Sequence, residues 1–380
     1  AEGNRALQLE RAGGYRRVGD IQGNPYGPNL GDTSGALASY GTAHDITAAL
    51  IARDGDDRDA LALLVELELA IGDVLLFRGD RSGSLERFDA AAALATRLAE
   101  SDSDPDVHRR TLGSIAVKRG DTISYQGDWE TAIAHYRDAL AIYADLPGEA
   151  ALAHRAVAHN KVGFGLRMTG EHSAALAEFR AGLEIAMARF EAEPESPARA
   201  RDLNIAHNNV GSALALLGRH GDAAEHHRAA LDIAERLAED DPRNALARAD
   251  LTFTLNRLGE ALSSDDRDAE ALPHFERALD IRRALHAADP GNASVRRDLC
   301  VSLFKVASVT ETVANETASS PAARHDALAH AATLFAEAAD HMESMERDGT
   351  LNEVDHALPA MLRSRADAAQ AALEDGESDQ

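Results

Sequence analysis

At 380 residues with 44% apolar side chains, the chain is long enough for a large core or a long array. Its formal net charge of −25 leaves no basic stripe to meet a phosphate backbone, which excludes a nucleic-acid partner and favours a basic or neutral one, although the same acidity also keeps an Ala-rich helical array soluble. One cysteine, Cys300, excludes an intrachain disulfide framework and a Cys-based zinc site; it sits in the apolar run "LCVSLF", which places it in the core.

No stretch approaches the roughly 20 apolar residues of a membrane span, and no basic-then-apolar leader opens the chain. The chain begins without Met, as a trimmed piece of something longer would. With only 4% aromatics and abundant Ala, closely packed helices are the expected architecture. Positive charge is carried by Arg apart from Lys118, Lys161 and Lys305, a bias that reads as base composition and has no mechanistic meaning in the sequence alone.

Along the chain, the first feature is "GDIQGNPYGPNLGDTSGALASY", Gly19 to Tyr40, in which a run of Gly, Asn and Pro separates two helical fragments. From residue 69 a regular pattern takes over. The segments "LAIGDVLLFRGDRSGSLERF", "VKRGDTISYQGDWETAIAHY", "NKVGFGLRMTGEHSAALAEF", "NNVGSALALLGRHGDAAEHH" and "NRLGEALSSDDRDAEALPHF" share one Gly, at 72, 120, 163, 211 and 259, in steps of 48, 43, 48 and 48 residues. One more step of 48 reaches Ala307. Seven residues after this clock position stands a second Gly (Gly79, Gly127, Gly170, Gly218; Asp266 in the fifth copy), suited to the positive φ of a tight turn. Thirteen after it comes an apolar residue, and sixteen after it an aromatic one: Phe88, Tyr136, Phe179 and Phe275, with His227 in the fourth copy. The three-to-four spacing of the apolar positions marks one helical face. Each unit therefore reads as a helix around the clock Gly, a turn, and a second helix carrying the aromatic.

In the first unit Gly19 is the clock residue, but Leu37 and Tyr40 follow at 18 and 21, five residues later than elsewhere. The 21–32 segment is then a loop projecting between two helices. No Lys follows it in the arrangement a phosphate-binding loop needs. In the last unit "HDALAHAATLFAEAADHM" arrives eight residues late, after a longer polar turn. The stretch 350–374 has one apolar face and reads as the capping helix that a solenoid needs, and 375–380 as a disordered acidic tail.

The order of small, small, aromatic and Ala-Leu positions resembles the tetratricopeptide repeat. That resemblance implies an all-α fold over 1–349: a right-handed α-solenoid of about seven helix pairs, closed by the capping helix. The family's usual period is 34 residues, and the excess of 14 is about four helical turns. Pro194, Pro242 and Pro290 each fall 31 residues after their Gly, so both helices of a pair are expected to be about two turns longer. The segment "YRRVGDIQGNPYGPNLGDTSGALASY", with "RALQLERAGG" before it, resembles the start of the repeat region behind the catalytic domain and membrane span of many bacterial serine/threonine kinases. This implies a docking or sensory region. It also implies a location outside the bacterial inner membrane if the chain is joined to a membrane-spanning kinase, and a cytoplasmic one otherwise. No His-Arg-Asp loop, Asp-Phe-Gly or Gly-rich strand turn of a kinase is present.

The resemblance also names site candidates. Three residues before the clock Gly stand Asn160, Asn208 and Asn256, at a position where repeats of the kinesin light chain kind use Asn to hold an extended peptide backbone. A carboxamide can pair with both C=O and N–H of such a segment; equally, these side chains could cap or bridge neighbouring helices. One residue after the Gly, Asp20, Asp73 and Asp121 would make the N-terminal half of the groove acidic and suited to a basic segment, unless each Asp only bonds a neighbouring helix. The sixteen His residues show no ligand spacing for a metal, and Trp129 reads as a staple between helices. No nucleophile is matched to a base, so neither catalysis nor a cofactor is expected. The function implied is a protein or peptide docking scaffold, and the alternative is an architectural or self-assembling solenoid.

Overall fold

Helix-forming residues broken by a positive-φ position and then by proline build a chain of hairpins. In the computed structural model, which describes residues 2–352 and 355–378, the seven pairs are α1 (Glu2–Gly23) with α2 (Thr33–Ile51), α3 (Arg58–Phe77) with α4 (Arg81–Ser101), α5 (Asp106–Ser124) with α6 (Trp129–Ala144), α7 (Glu149–Met168) with α8 (His172–Ala192), α9 (Pro197–Leu216) with α10 (His220–Asp240), α11 (Ala245–Ser263) with α12 (Asp268–Ala288), and α13 (Ala293–Thr317) with α14 (Pro321–Arg347). A single helix, α15 (Leu358–Ser378), follows and packs on α14. It starts later than the expected 350–374 segment and runs into the 375–380 stretch expected to be a tail, of which residues 379–380 lie outside the described residues. No strand occurs among the described residues, and the fold is an all-α repeat solenoid. Two compact units divide it, residues 1–189 and 190–380.

The clock glycines have a steric cause. A Cβ on Gly72 would stand 2.6 Å from Cε1 of Phe88, and one on Gly120, Gly163 or Gly259 would meet Tyr136, Phe179 or Phe275 at 2.5, 2.7 and 2.7 Å. The aromatic of the second helix therefore lies flat on the first helix where a side chain would be, and only Gly permits that approach. His227 occupies the same place against Gly211, and Tyr40 against Gly19 despite the five extra residues between them. All six rings are buried, which fixes the register within each pair.

The second position closes the hairpin. Gly79, Gly127, Gly170 and Gly218 have φ between 73° and 85°, and Asp266 takes the same left-handed conformation at 57°. The N–H groups of Asp80, Glu171, Arg219 and Arg267 then donate to the carbonyls of Leu75, Leu166, Leu214 and Leu262 at 2.8–3.0 Å, the helix-ending pattern that satisfies otherwise orphaned carbonyls. Asp32, Asp80 and Asp128 cap the helices that follow. Helices α3, α4, α7, α8 and α9 to α12 have 19 to 21 residues each, and Pro194, Pro242 and Pro290 each stand two residues beyond the end of α8, α10 and α12.

In α3, α7 and α11 four positions of the first helix are buried against its neighbours: twelve, five and one residue before the clock position, and two after it. In α3 these are Ala60, Leu67, Ile71 and Val74, in α7 Ala151, Ala158, Val162 and Gly165, and in α11 Ala247, Thr254, Leu258 and Ala261, all buried. Leu67, Ile71 and Val74 share a cluster with Tyr40 and Ala43 of α2, and Ala151 and Ala158 share one with Ala139 and Tyr143 of α6.

Candidate functional site

A second face of each first helix stays open. Positions six and two before the clock residue, then one and five after it, are spaced by four, three and four, which keeps them on one side of a helix. The acids of this face are not free. Lys118 Nζ donates to Asp73 Oδ1 at 2.6 Å, Lys161 Nζ to Asp121 Oδ1 at 2.7 Å, and Lys305 Nζ to Glu260 Oε1 at 2.5 Å. All three lysines of the chain stand two residues before a clock position and reach back to the acid of the preceding pair. Burial pushes the Asp73 carboxyl up, and Lys118 offsets only part of that rise. Where the aromatic is Tyr, its hydroxyl donates to the acid of its own pair: Tyr40 to Asp20 at 2.8 Å and Tyr136 to Asp121 at 2.7 Å. Asp20 is also 3.6 Å from Arg16. Asp20, Asp73 and Asp121, expected to make the groove acidic, are thus each met by a cation of the chain, and Asp20 and Asp121 by a tyrosine hydroxyl as well. The regular offset of the lysines was present in the sequence as repeat length minus three, and would have revealed the pairing.

The three Asn residues are not equivalent. Asn208 is buried; its amide donates to Thr254 Oγ1 at 2.8 Å and its oxygen accepts from His227 Nδ1 at 2.9 Å. Asn204, also buried, donates to Ala230 O at 2.7 Å in the same network. Asn256, half-buried, donates to Thr252 O of its own helix at 2.9 Å. Asn160 is half-buried, and its Oδ1 is enclosed without a hydrogen-bond partner next to Gly182. Three residues before the clock Gly lies roughly 60–80° around the helix from the open face, which is why Asn208 faces neighbouring helices rather than solvent. Its tie to a His in the aromatic slot is the sequence signal that sets it apart from Asn160 and Asn256.

What the open face does present is apolar. Five residues after the clock Gly stand Phe77, Tyr125 and Met168 in residues 1–189, exposed at 68%, 67% and 49%, and Leu216 in residues 190–380 at 49%. The first-pair loop joins this face. Helix α1 ends at Gly23, and the loop is braced by its own Asn side chains: Tyr26 N–H donates to Asn24 Oδ1 at 2.9 Å, and Asn29 Nδ2 donates to Asn24 O at 2.8 Å. Its tip stays exposed, Tyr26 at 69% and Leu30 at 78%, and Lys118 Nζ lies 4.7 Å from the centre of the Tyr26 ring, beside α3 and α5. Partial desolvation and the neighbouring Asp73 and Asp121 raise the Tyr26 phenol to about 12. A cavity of about 410 Å³ results, lined by Pro25, Tyr26, Asp73, Leu76, Phe77, Gly79, Arg81 and Tyr125.

Other candidates belong to the packing. Trp129 sits 5.5 Å from Phe164 and so ties the start of α6 to α7. Cys300 is buried, which pushes its thiol up to about 12. His207 and His226 lie Nδ1 to Nδ1 at 3.1 Å, and no group of three metal-ligating side chains converges among the described residues.

The helix pairs form an all-α repeat solenoid, and residues 202–284 match the tetratricopeptide repeat family. No curated protein matches the chain. Among solved structures it is similar to BtubC (BKLC) from P. vanneervenii, at 20% identity over 67% of this chain and 92% of that one, with a TM-score of 0.55. It is also similar to the S. pombe nuclear import adaptor Nro1, at 14% identity over 81% of this chain and 98% of that one, with a TM-score of 0.51. These likenesses establish the fold.

Proposed function

We propose that the chain is a non-catalytic scaffold that binds a segment of another protein along the open face of its first helices. The observation that carries this reading is the row of exposed apolar side chains at one repeat position, Phe77, Tyr125 and Met168, beside a cavity walled by Tyr26 and Phe77. A folded surface that spends large apolar side chains at a fixed interval is built for contact. The paired acids Asp73 and Asp121 lie beneath this row, where they hold the helices in register and offer their remaining oxygens to partner N–H groups. Asn160, Asn208 and Asn256 turn toward the packing and serve the fold. The partner is recognised chiefly through apolar anchors, and the net charge of −25 favours basic flanks on it.

The kinase-associated reading rests on residues 5–40, through their likeness to the repeat region behind bacterial serine/threonine kinase domains. Sequencing the complete gene decides it, because an open reading frame without a kinase domain removes that reading.

The docking reading is tested by panning a displayed random-peptide library on the protein and measuring the selected peptides against the triple variant F77S/Y125S/M168S. Loss of three apolar anchors, each worth about 1 kcal/mol or more, should weaken binding by at least two powers of ten, with helical circular dichroism unchanged. Peptides that bind both proteins equally would move the docking surface elsewhere. A library that yields no binder would leave the architectural alternative.

A further inference from the structure

The chain has only nine Phe, six Tyr and one Trp. The three most exposed of them among the described residues, Tyr26, Phe77 and Tyr125 at 69%, 68% and 67%, all line the one cavity of about 410 Å³ described above. Pro25 adds a fourth ring. The volume is that of a ligand site, for which about 300–1,000 Å³ is usual. Two of the four rings come from the inserted loop, where the chain departs from its repeat. That loop is fixed at its ends: Leu30 N–H donates to Ile21 O at 2.9 Å and Asp32 N–H to Gln22 O at 2.8 Å. Asn29 Nδ2 bridges Asn24 O and Gly27 O within it. The rings are therefore placed before anything binds, which lowers the ordering cost of contact.

The polar groups at the cavity are mostly donors. The hydroxyls of Tyr26 and Tyr125 and the guanidinium of Arg81 have no hydrogen-bond or ion-pair partner among the described residues. The Tyr26 phenol, raised to about 12, keeps its proton at neutral pH. Acceptors are scarce by comparison. Leu76 O takes the N–H of Gly79 at 2.9 Å and Gly79 O that of Arg81 at 3.1 Å. Asp73 gives one oxygen to Lys118, which leaves the other for a single N–H or a guanidinium. An ordinary extended peptide brings an N–H with every C=O and finds few acceptors for them here. A proline-rich segment brings carbonyls that lack accompanying N–H groups, on a polyproline II helix that uses none of them internally.

We infer, resting on the docking role proposed above, that this cavity seats a proline-rich segment of the partner protein. Its pyrrolidine rings lie against Tyr26, Phe77 and Tyr125, and its carbonyls accept from the two phenols and Arg81. Aromatic-lined grooves suit such segments because the preformed helix loses little entropy on docking. A bare ammonium is a poorer occupant, since Lys118 already lies 4.7 Å from the Tyr26 ring centre and Arg81 borders the cavity. Basic residues on the flanks of the segment agree with the net charge of −25.

The test follows the fluorescence anisotropy of a labelled decaproline with an Arg at each end. This peptide should bind, and a matched one with Ala at every second Pro should bind about tenfold more weakly. Y26F/Y125F, which removes only two exposed hydroxyls, should keep its melting temperature and lose about tenfold in affinity for decaproline. F77S/Y125S should abolish that binding, and M168S, outside the cavity lining, should leave it unchanged. Equal binding of decaproline to wild type and F77S/Y125S overturns the inference. Tighter binding of an alternating Lys-Ser peptide, likewise lost in F77S/Y125S, would make the ring cluster a cation cage and overturns it too. If decaproline fails to bind at about 100 μM while proline-free peptides selected on the protein still require Phe77 and Tyr125, the proline segment falls and the docking role stands. If neither decaproline nor any displayed peptide binds, both fall.

Discussion

A single ring on a single glycine sets the register in six of the seven pairs, and this contact reverses the usual rule for helix interiors. Gly→Ala in a helix ordinarily gains about 1 kcal/mol, and Gly41 in α2, with nothing within 4 Å of its missing Cβ, should follow that rule: G41A raises the melting temperature. At Gly163 the new methyl would stand 2.7 Å from Phe179, so G163A should lose about 1–3 kcal/mol through overpacking, measured by urea unfolding. A stabilised G163A would show that the ring yields freely and that the clock Gly has another cause.

His227 gives a second prediction at this scale. Burial, helped by nearby Arg257, holds its imidazolium form off until a pKa of about 4, below the ordinary 6.5. Because the folded value is the lower one, the stability linked to the neutral ring is complete above pH 6.5 and drains away as pH falls through 6.5 toward 4. The loss reaches about 3 kcal/mol at most. H227Q, which retains a donor for Asn208 without titrating, should flatten that part of the stability-against-pH profile; an unchanged profile would assign the acid sensitivity to other groups.

At the scale of helices, the clock Gly, the turn Gly and the aromatic were all readable in the sequence, because each reflects one local steric demand repeated at a fixed offset. The partners of the +1 acids were not read, since a contact between pairs has no local signature until the register of adjacent helices is known. Asn160, Asn208 and Asn256 share a position yet differ in burial, and only His227 in the aromatic slot marked which of them would be enclosed. The loop was recognised as an insertion, but its fold onto α3 and α5 depends on Tyr26 finding Lys118 about ninety residues away along the chain. Removing Lys118 tests the coupling of elements directly. K118M leaves the carboxylate of Asp73, 12% exposed, without its cation and should cost about 1–3 kcal/mol, while adding D73N should recover most of that loss. Equal stability of K118M and wild type would show that the link between α3 and α5 is a surface ion pair of no consequence.

For the molecule as a whole, the net charge of −25 weighs on every compact state. Self-repulsion at this density is screened by salt, so raising NaCl from about 20 to 500 mM should raise the melting temperature even though it weakens the individual ion pairs. A falling melting temperature would mean that the lysine and arginine bridges outweigh the repulsion.

Only three primary amines besides the chain terminus exist in this protein, and all three occupy one kind of place, the seam between consecutive hairpins, with side chains 25% to 39% exposed. Acylating reagents that a lysine-rich protein would consume over its whole surface are here confined to those seams. Each of Lys118, Lys161 and Lys305 must leave its carboxylate before its nitrogen can attack an ester. The rate of amine labelling, read residue by residue in a mass spectrometer, therefore becomes a clock for the opening of individual joints in the array, with three reporters already placed by the sequence.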